Sequence, residues 1–207
     1  LLSALILEQS GFKAIGTTSW GVANAMGYAD GEKITFEQLL TLSKQMVATV
    51  SIPVTVDIES GYSEDINIIA DNALKIAEIG AVGINFEDCL KDGTALVEVS
   101  QQCKILEKIR NRLDNNGYSD FFINARIDTF FQLDDPLAET IKRSKNYLDS
   151  GANGIFVPGI NSTNDIKAVI EKVNAPLNVM SLPNLTDAKL LQELGVKRFS
   201  TGPAFSN

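Results

Sequence analysis

The chain has 207 residues, 44% of them hydrophobic and 21% charged, enough for one sizeable core and short of two comfortable domains. Its net charge is −8 with no basic run, which argues against nucleic acid and anionic membranes as partners, and no apolar stretch is long enough to span a bilayer. Histidine is absent, so Ser–His–Asp triads, Cys–His dyads and His-ligated metals are excluded.

In chain order, residues 2–10 read as a helix closing at Gly11, and KAIGTTS (13–19) as a β-like run. Residues 35–50 have helical spacing with Thr35 as cap, then PVTVDIE (53–59) reads as a strand. Helix 64–79 stops at Gly80 and leads to strand 81–88. Helix 96–113, a loop at 114–120, strand 120–128 and helix 136–150, with Pro136 in its first turn, continue the beat. Strand 154–160, helix 163–173, strand 176–182, helix 186–194 and strand 197–204 complete it.

Seven strands, each preceded by a helix, predict an α/β protein with a parallel sheet. Several strands read as apolar on both faces, as in a buried parallel sheet. An open doubly wound sheet would carry a glycine-rich phosphate turn after an early strand, and none is present. The chain opens in a helix that calls for a preceding strand. The expected architecture is therefore a (β/α)8 TIM barrel, a single domain over 1–207, with its first strand and a C-terminal helix outside the sequence.

Active sites of parallel barrels lie at the carboxyl ends of the strands. Four ends here are polar: TTSWG (17–21), DIESGY (57–62), FED (86–88) and NARID (124–128). They bring Asp57, Glu59, Glu87, Asp88, Arg126 and Asp128 to one rim. Asp57 and Glu59, two apart, point the same way on a strand. Carboxylates without histidine suit a hard cation, Mg2+ or Mn2+. Arg126 faces either that excess negative charge or a substrate carboxylate. Asp88 and Asp128 are read as structural residues that start the next loop or helix. Cys89 and Cys103 have neither disulfide-framework nor zinc spacing and read as core or filler, which gives a cytoplasmic expectation. Trp20 walls a pocket or simply packs.

The motifs GFKAIGTTSWGVANAMGYADG (11–31), PVTVDIESGY (53–62), GAVGINFED (80–88), INARID (123–128), ETIKRSKNYLDSGANGIFVPG (139–159) and LGVKRFSTGP (194–203) together resemble the isocitrate lyase/phosphoenolpyruvate mutase superfamily. The likeness runs over nearly the whole chain and points to its phosphonomutase-like members. It implies a barrel enzyme that binds Mg2+ and a small 2-oxo acid or phosphonate, and breaks or rearranges a C–C or C–P bond beside an enolpyruvate unit. By resemblance, Asp57 is the direct metal ligand, and Glu59 and Glu87 hold the ion, often through water. Arg126 meets the substrate carboxylate or phosphoryl end, Ser19, Trp20 and Gly21 form the loop that receives a substrate carboxylate, and Asp30 sits on a mobile segment beside the substrate. It also implies a homo-oligomer, dimer or tetramer. The segment EDCLKDGTALVE (87–98) lacks the Cys–Gly–His element of the lyases and the Asn–Ser of the mutase loop, Gly159 stands where lyases tend to have Glu, and Lys91 is that loop's one cation. A catalytically silent carboxylate-binding barrel and a metal-dependent aldolase are the alternatives.

Overall fold

The protein is described by a computed structural model covering residues 1–91 and 93–202. Helices α1 (Leu2–Gln9), α2 (Ser19–Ala25), α3 (Phe36–Thr49), α4 (Ile66–Glu78), α5 (Val99–Asn115), α6 (Thr129–Gln132), α7 (Leu137–Asp149), α8 (Thr163–Lys172) and α9 (Ala188–Leu194) alternate with seven strands. These are β1 (Ile15–Gly16), β2 (Val54–Asp57), β3 (Gly83–Glu87), β4 (Phe122–Arg126), β5 (Gly154–Phe156), β6 (Leu177–Met180) and β7 (Arg198–Ser200). All pair in parallel, in sequence order. The sheet curls back on itself: Arg198 on β7 donates to the Thr55 hydroxyl on β2 at 2.9 Å, although four strands separate the two in the sheet. The result is a partial TIM barrel in which, among the described residues, the outer edges of β1 and β7 are not paired with each other.

Local signals explain most boundaries. Thr35 and Gln38 form the reciprocal capping box that starts α3. Asp65, Ser162 and Asp187 accept backbone N–H groups at the starts of α4, α8 and α9. Pro136 is the N-cap of α7. The run 13–19 is shorter than expected: β1 is two residues, and Ser19 already begins α2. The last strand ends at Ser200, and Pro203 and Ala204 of the expected 197–204 lie outside the described residues.

Both faces of the sheet are buried, as expected, but only one is apolar. Val54, Val56, Ile84, Phe86, Ile123, Ala125, Ile155, Leu177 and Val179 face outward under the helices; all but Val54, which joins a small cluster under α1 and α3, pack in one core with Ile76, Ile109, Tyr147 and Val169. The alternate residues turn inward and, above the floor, are largely polar. The Asn124 side-chain amide donates to the side-chain oxygens of Asn85 (2.9 Å) and Asn178 (3.1 Å), tying three strands across the interior. Interior amides are tolerated because they satisfy one another. Below them Phe122 fills the floor: a Cβ on Gly83 would lie 2.5 Å from the Phe122 carbonyl oxygen, and one on Gly154 would lie 2.7 Å from its ring. The apolar floor, amide layer and charged rim place the polar chemistry at one end.

Candidate active site

The β2 tip is held from two sides. The Asp57 N–H donates to Thr17 Oγ1 (2.8 Å), and Asp57 Oδ2 accepts the Ser19 N–H (3.2 Å). Asp57 is buried, yet it lines a cavity of about 520 Å³ together with Ser19, Trp20, Asp30, Asn85 and Arg126. Each Asp57 oxygen accepts one backbone N–H, the second being that of Glu59, which leaves acceptor capacity on both. Ser19, Trp20 and Gly21 form the first turn of α2 rather than a loop, with Ser19 and Trp20 on the cavity wall.

Past the β2 tip the backbone is unusual. Glu32, Glu59 and Tyr62 all have positive φ, at 54°, 49° and 62°. Each such residue costs roughly 1–3 kcal/mol and persists only where its surroundings over-determine it. Here the three lock one another. Glu59 accepts the Glu32 N–H (2.8 Å) and the Tyr62 hydroxyl (3.1 Å), while Glu32 accepts the Tyr62 N–H (2.8 Å) and the Ser60 hydroxyl (2.7 Å). Lys91 pairs with the other Glu32 oxygen at 2.9 Å, tying the segment around Asp30 to the one after β3. Gly61, at φ 101°, is needed because a Cβ there would meet Ile69 at 2.6 Å.

At the β4 tip Arg126 is already engaged. Its Nε and Nη2 grip Asp128 (2.7 and 2.9 Å), and Nη1 meets Glu87 at 2.8 Å. Asp128 stands at the N-cap of α6, but its carboxylate makes no cap hydrogen bond. Asp128 starts α6 as expected, and its carboxylate additionally holds the arginine. Asp88 does serve the scaffold: fully buried, it accepts the Asp128 N–H, Arg143 and the Tyr147 hydroxyl. Burial pushes the Cys89 thiol up to about 11, which suits core filler rather than a nucleophile.

The acids feel one another. Burial raises the Asp57 carboxyl, with Arg126 opposing and Asp30 adding to it. Burial pushes Glu59 up to about 7, helped by Asp30 and Asp57. Burial also holds Glu87 well above the usual range, with Asp57, Asp128 and Glu59 repelling and Arg126 opposing. Burial works against the Arg126 charge, but Glu87 and Asp128 more than offset it. The acids at the rim outnumber its cations, and burial together with their mutual repulsion favours holding protons there.

Among the described residues no three Cys, Asp or Glu side chains converge into a ready-made cage for an ion. A hard divalent cation that keeps most of its water needs only one or two carboxylates. Asp57, open to the cavity with spare acceptor capacity and repelling acids around it, fits that need. Sequence reasoning missed Glu32, Tyr62, the asparagine layer and Arg198. The alternation of Arg198 and Ser200 around Phe199 was the one signal for the last.

The family's sequence profile, described as phosphoenolpyruvate phosphomutase, matches residues 1–207 throughout. The chain belongs to the phosphoenolpyruvate phosphomutase family. An uncharacterised protein of Mycobacterium tuberculosis H37Rv is 36% identical over 201 residues, 97% of this chain and 73% of its own. Oxaloacetate decarboxylase 1 of Pseudomonas fluorescens is 28% identical over 95% of this chain and 68% of its own. The crystal structure of a candidate phosphonomutase from Burkholderia cenocepacia J2315 superposes with a TM-score of 0.93 at 36% identity, covering 99% of this chain and 84% of that one. Relatives matched by sequence are named as enzymes, a phosphoenolpyruvate phosphomutase, a 2-methylisocitrate lyase and an oxaloacetate decarboxylase among them, and this chain carries the fold of the Burkholderia structure. Among the described residues no helix is long and apolar enough to cross a membrane.

Proposed function

We propose that the protein is a Mg2+-dependent enzyme that cleaves or rearranges a C–C or C–P bond of a small 2-oxo acid or its enol. The observation that carries this reading is Asp57, buried at the tip of β2 on the wall of the cavity that Arg126 also lines, with Glu59 and Glu87 next to it at the tips of β2 and β3 and repelled by its charge. Asp57 is the residue to hold Mg2+ (or Mn2+) directly, with Glu59 and Glu87 acting through water. Bound there, the cation supplies positive charge where negative charge develops on a 2-oxo group as the neighbouring bond breaks.

The chain's own residues do the rest. Arg126 has five N–H donors and spends three on Glu87 and Asp128, leaving two for a substrate carboxylate or phosphoryl oxygen. Asp128 and Glu87 keep its plane fixed, so little is lost in orienting it. Ser19, Trp20 and Gly21 receive the substrate's carboxylate end, and Asp30, exposed at the rim, borders it. The reading includes a single barrel domain over 1–207, a cytoplasmic setting and a homo-oligomer. A carboxylate-binding barrel without catalysis competes with it, because the segment 88–98 lacks the lyase and mutase loop elements.

A turnover screen with oxaloacetate, phosphonopyruvate and 2-methylisocitrate tests the proposal. At least one is consumed with Mg2+, not with EDTA, and Arg126→Ala lowers that rate by about 100-fold or more. Ligand binding without any turnover would favour the silent barrel.

Metal binding should also depend on pH. The Glu59 carboxyl stands near 7 in the fold against 4.5 as its ordinary value. Between those values the metal-free native state holds a proton that the unfolded chain has released, so its stability falls as pH rises through that window. A cation takes the proton's place. Mg2+ affinity is expected to rise by up to about tenfold per pH unit for each proton displaced, from pH 5 to 7, and to flatten above. Calorimetry in buffers of different ionisation enthalpy reads both the affinity and the proton release; a pH-independent affinity would count against the acid rim as the site.

A further inference from the structure

Arg198 lies inside the barrel and lines the same cavity as Asp57 and Arg126. Its guanidinium crosses in front of β1 to reach Thr55 at 2.9 Å. Gly16 makes the crossing feasible, since a Cβ there would sit 2.8 Å from the Thr55 hydroxyl and 3.5 Å from Arg198 Nη2. Among the described residues Arg198 has no carboxylate within ion-pair distance, and one hydroxyl is its hydrogen-bond partner. It thus keeps four of its five donors, where Arg126 keeps two. A partly buried guanidinium with no carboxylate in ion-pair distance, open to the cavity that Asp57 and Arg126 also line, is a receptor for an anionic group.

We propose that Arg198 is a specificity-determining residue that binds the second anionic terminus of the substrate, so that the site takes dianionic 2-oxo acids in preference to monoanionic ones. The proposal rests on the function proposed above and narrows its substrate class. Thr55, Arg198's partner, lies two residues below Asp57 on β2, about 6.6 Å along a strand. That spacing suits a four- or five-carbon dicarboxylate or a three-carbon phosphonate, whose 2-oxo end meets Asp57 and Arg126 while the far end reaches Arg198. Burial lowers the Arg198 pKa, with only Asp57 opposing, so the desolvated charge gains most from an arriving anion.

The test is calorimetry of the full-length protein in Mg2+ with pyruvate, 2-oxoglutarate and phosphonopyruvate, on wild type, Arg198→Met and Arg198→Lys; for a probe that turns over, KM and kcat are read instead. Wild type is expected to bind at least one dianion roughly tenfold or more tighter than pyruvate. Arg198→Met collapses that preference to within about twofold while leaving pyruvate affinity unchanged, and Arg198→Lys, which keeps the charge, retains part of it. Where turnover is seen, the loss appears in KM for the dianion. Equal weakening of all three probes, or no change in the ratio, overturns the proposal while leaving the Mg2+ enzyme reading intact. If Arg198→Met does not fold, the Arg198→Lys ratio decides alone: an unchanged preference with altered stability makes the residue structural. Failure of every probe to bind wild type in Mg2+ overturns the parent reading, and this one with it.

Discussion

Asp57→Ala is expected to weaken Mg2+ binding by more than about 100-fold, a larger loss than removal of an outer partner of a metal ligand. The reason lies in the division of labour at the rim. Glu59 accepts from Glu32 and Tyr62, Glu87 pairs with Arg126, and neither lines the cavity onto which Asp57 opens. Asp57 alone combines burial, a place on the cavity wall and spare acceptor capacity on both oxygens. Asp57→Asn separates charge from shape, because the remaining amide oxygen still accepts a backbone N–H. It is expected to lose Mg2+ affinity nearly as severely while the fold stays intact. In the absence of metal, both variants should unfold no earlier than wild type, since each removes one member of a self-repelling set of acids. Calorimetry with Mg2+ and a metal-free melt in EDTA measure the two effects; equal Mg2+ affinity in wild type and Asp57→Ala would remove Asp57 from the site.

Asp88→Ala is expected to produce the largest loss of stability. The carboxylate is fully buried and accepts from Arg143 at 2.9 Å, from the Tyr147 hydroxyl at 2.8 Å and from the Asp128 N–H at 2.9 Å. Removing it leaves the Arg143 guanidinium buried, with Glu139, the Val97 carbonyl and the Tyr147 hydroxyl as its remaining partners. Breaking a buried pair in this way costs about 3–5 kcal/mol. For a chain of this size that lowers Tm by roughly 6–20 °C. The double variant Asp88→Ala/Arg143→Met should cost less than the sum of its parts, because no charge is then stranded. The bond to the Asp128 N–H links this network to the tip of β4, so activity at Arg126 should fall in Asp88→Ala even below its melting temperature. Thermal melts of the single and double variants check the coupling, and additive losses would contradict it.

The helices were legible because their signals are local. Thr35 with Gln38, and the stops at Gly80 and Gly195, mark ends that the fold keeps within a residue or two. The rim was legible for the same reason, as each strand tip carries its acids next to one another in sequence. The polar barrel interior was harder to read. Val54–Thr55–Val56–Asp57 and Ile84–Asn85–Phe86–Glu87 alternate, yet a strand buried on both sides invites an all-apolar reading. Long-range partners left no local trace. Arg198 and Thr55 are 143 residues apart, Asp88 and Tyr147 are 59 apart, and Glu32 meets Glu59, Tyr62 and Lys91 only after two loops fold together. Asp128 looks like a cap by position, and its grip on Arg126 depends on how the chain turns after β4.

Diffraction from crystals grown with Mn2+ in place of Mg2+, recorded for its anomalous signal, locates the cation without reference to any reaction. The expected result is a single peak in direct contact with an Asp57 oxygen, with waters bridging it to Glu59 and Glu87. A rim without such a peak at saturating Mn2+, or a peak bound elsewhere on the molecule, would contradict the metal-centred account.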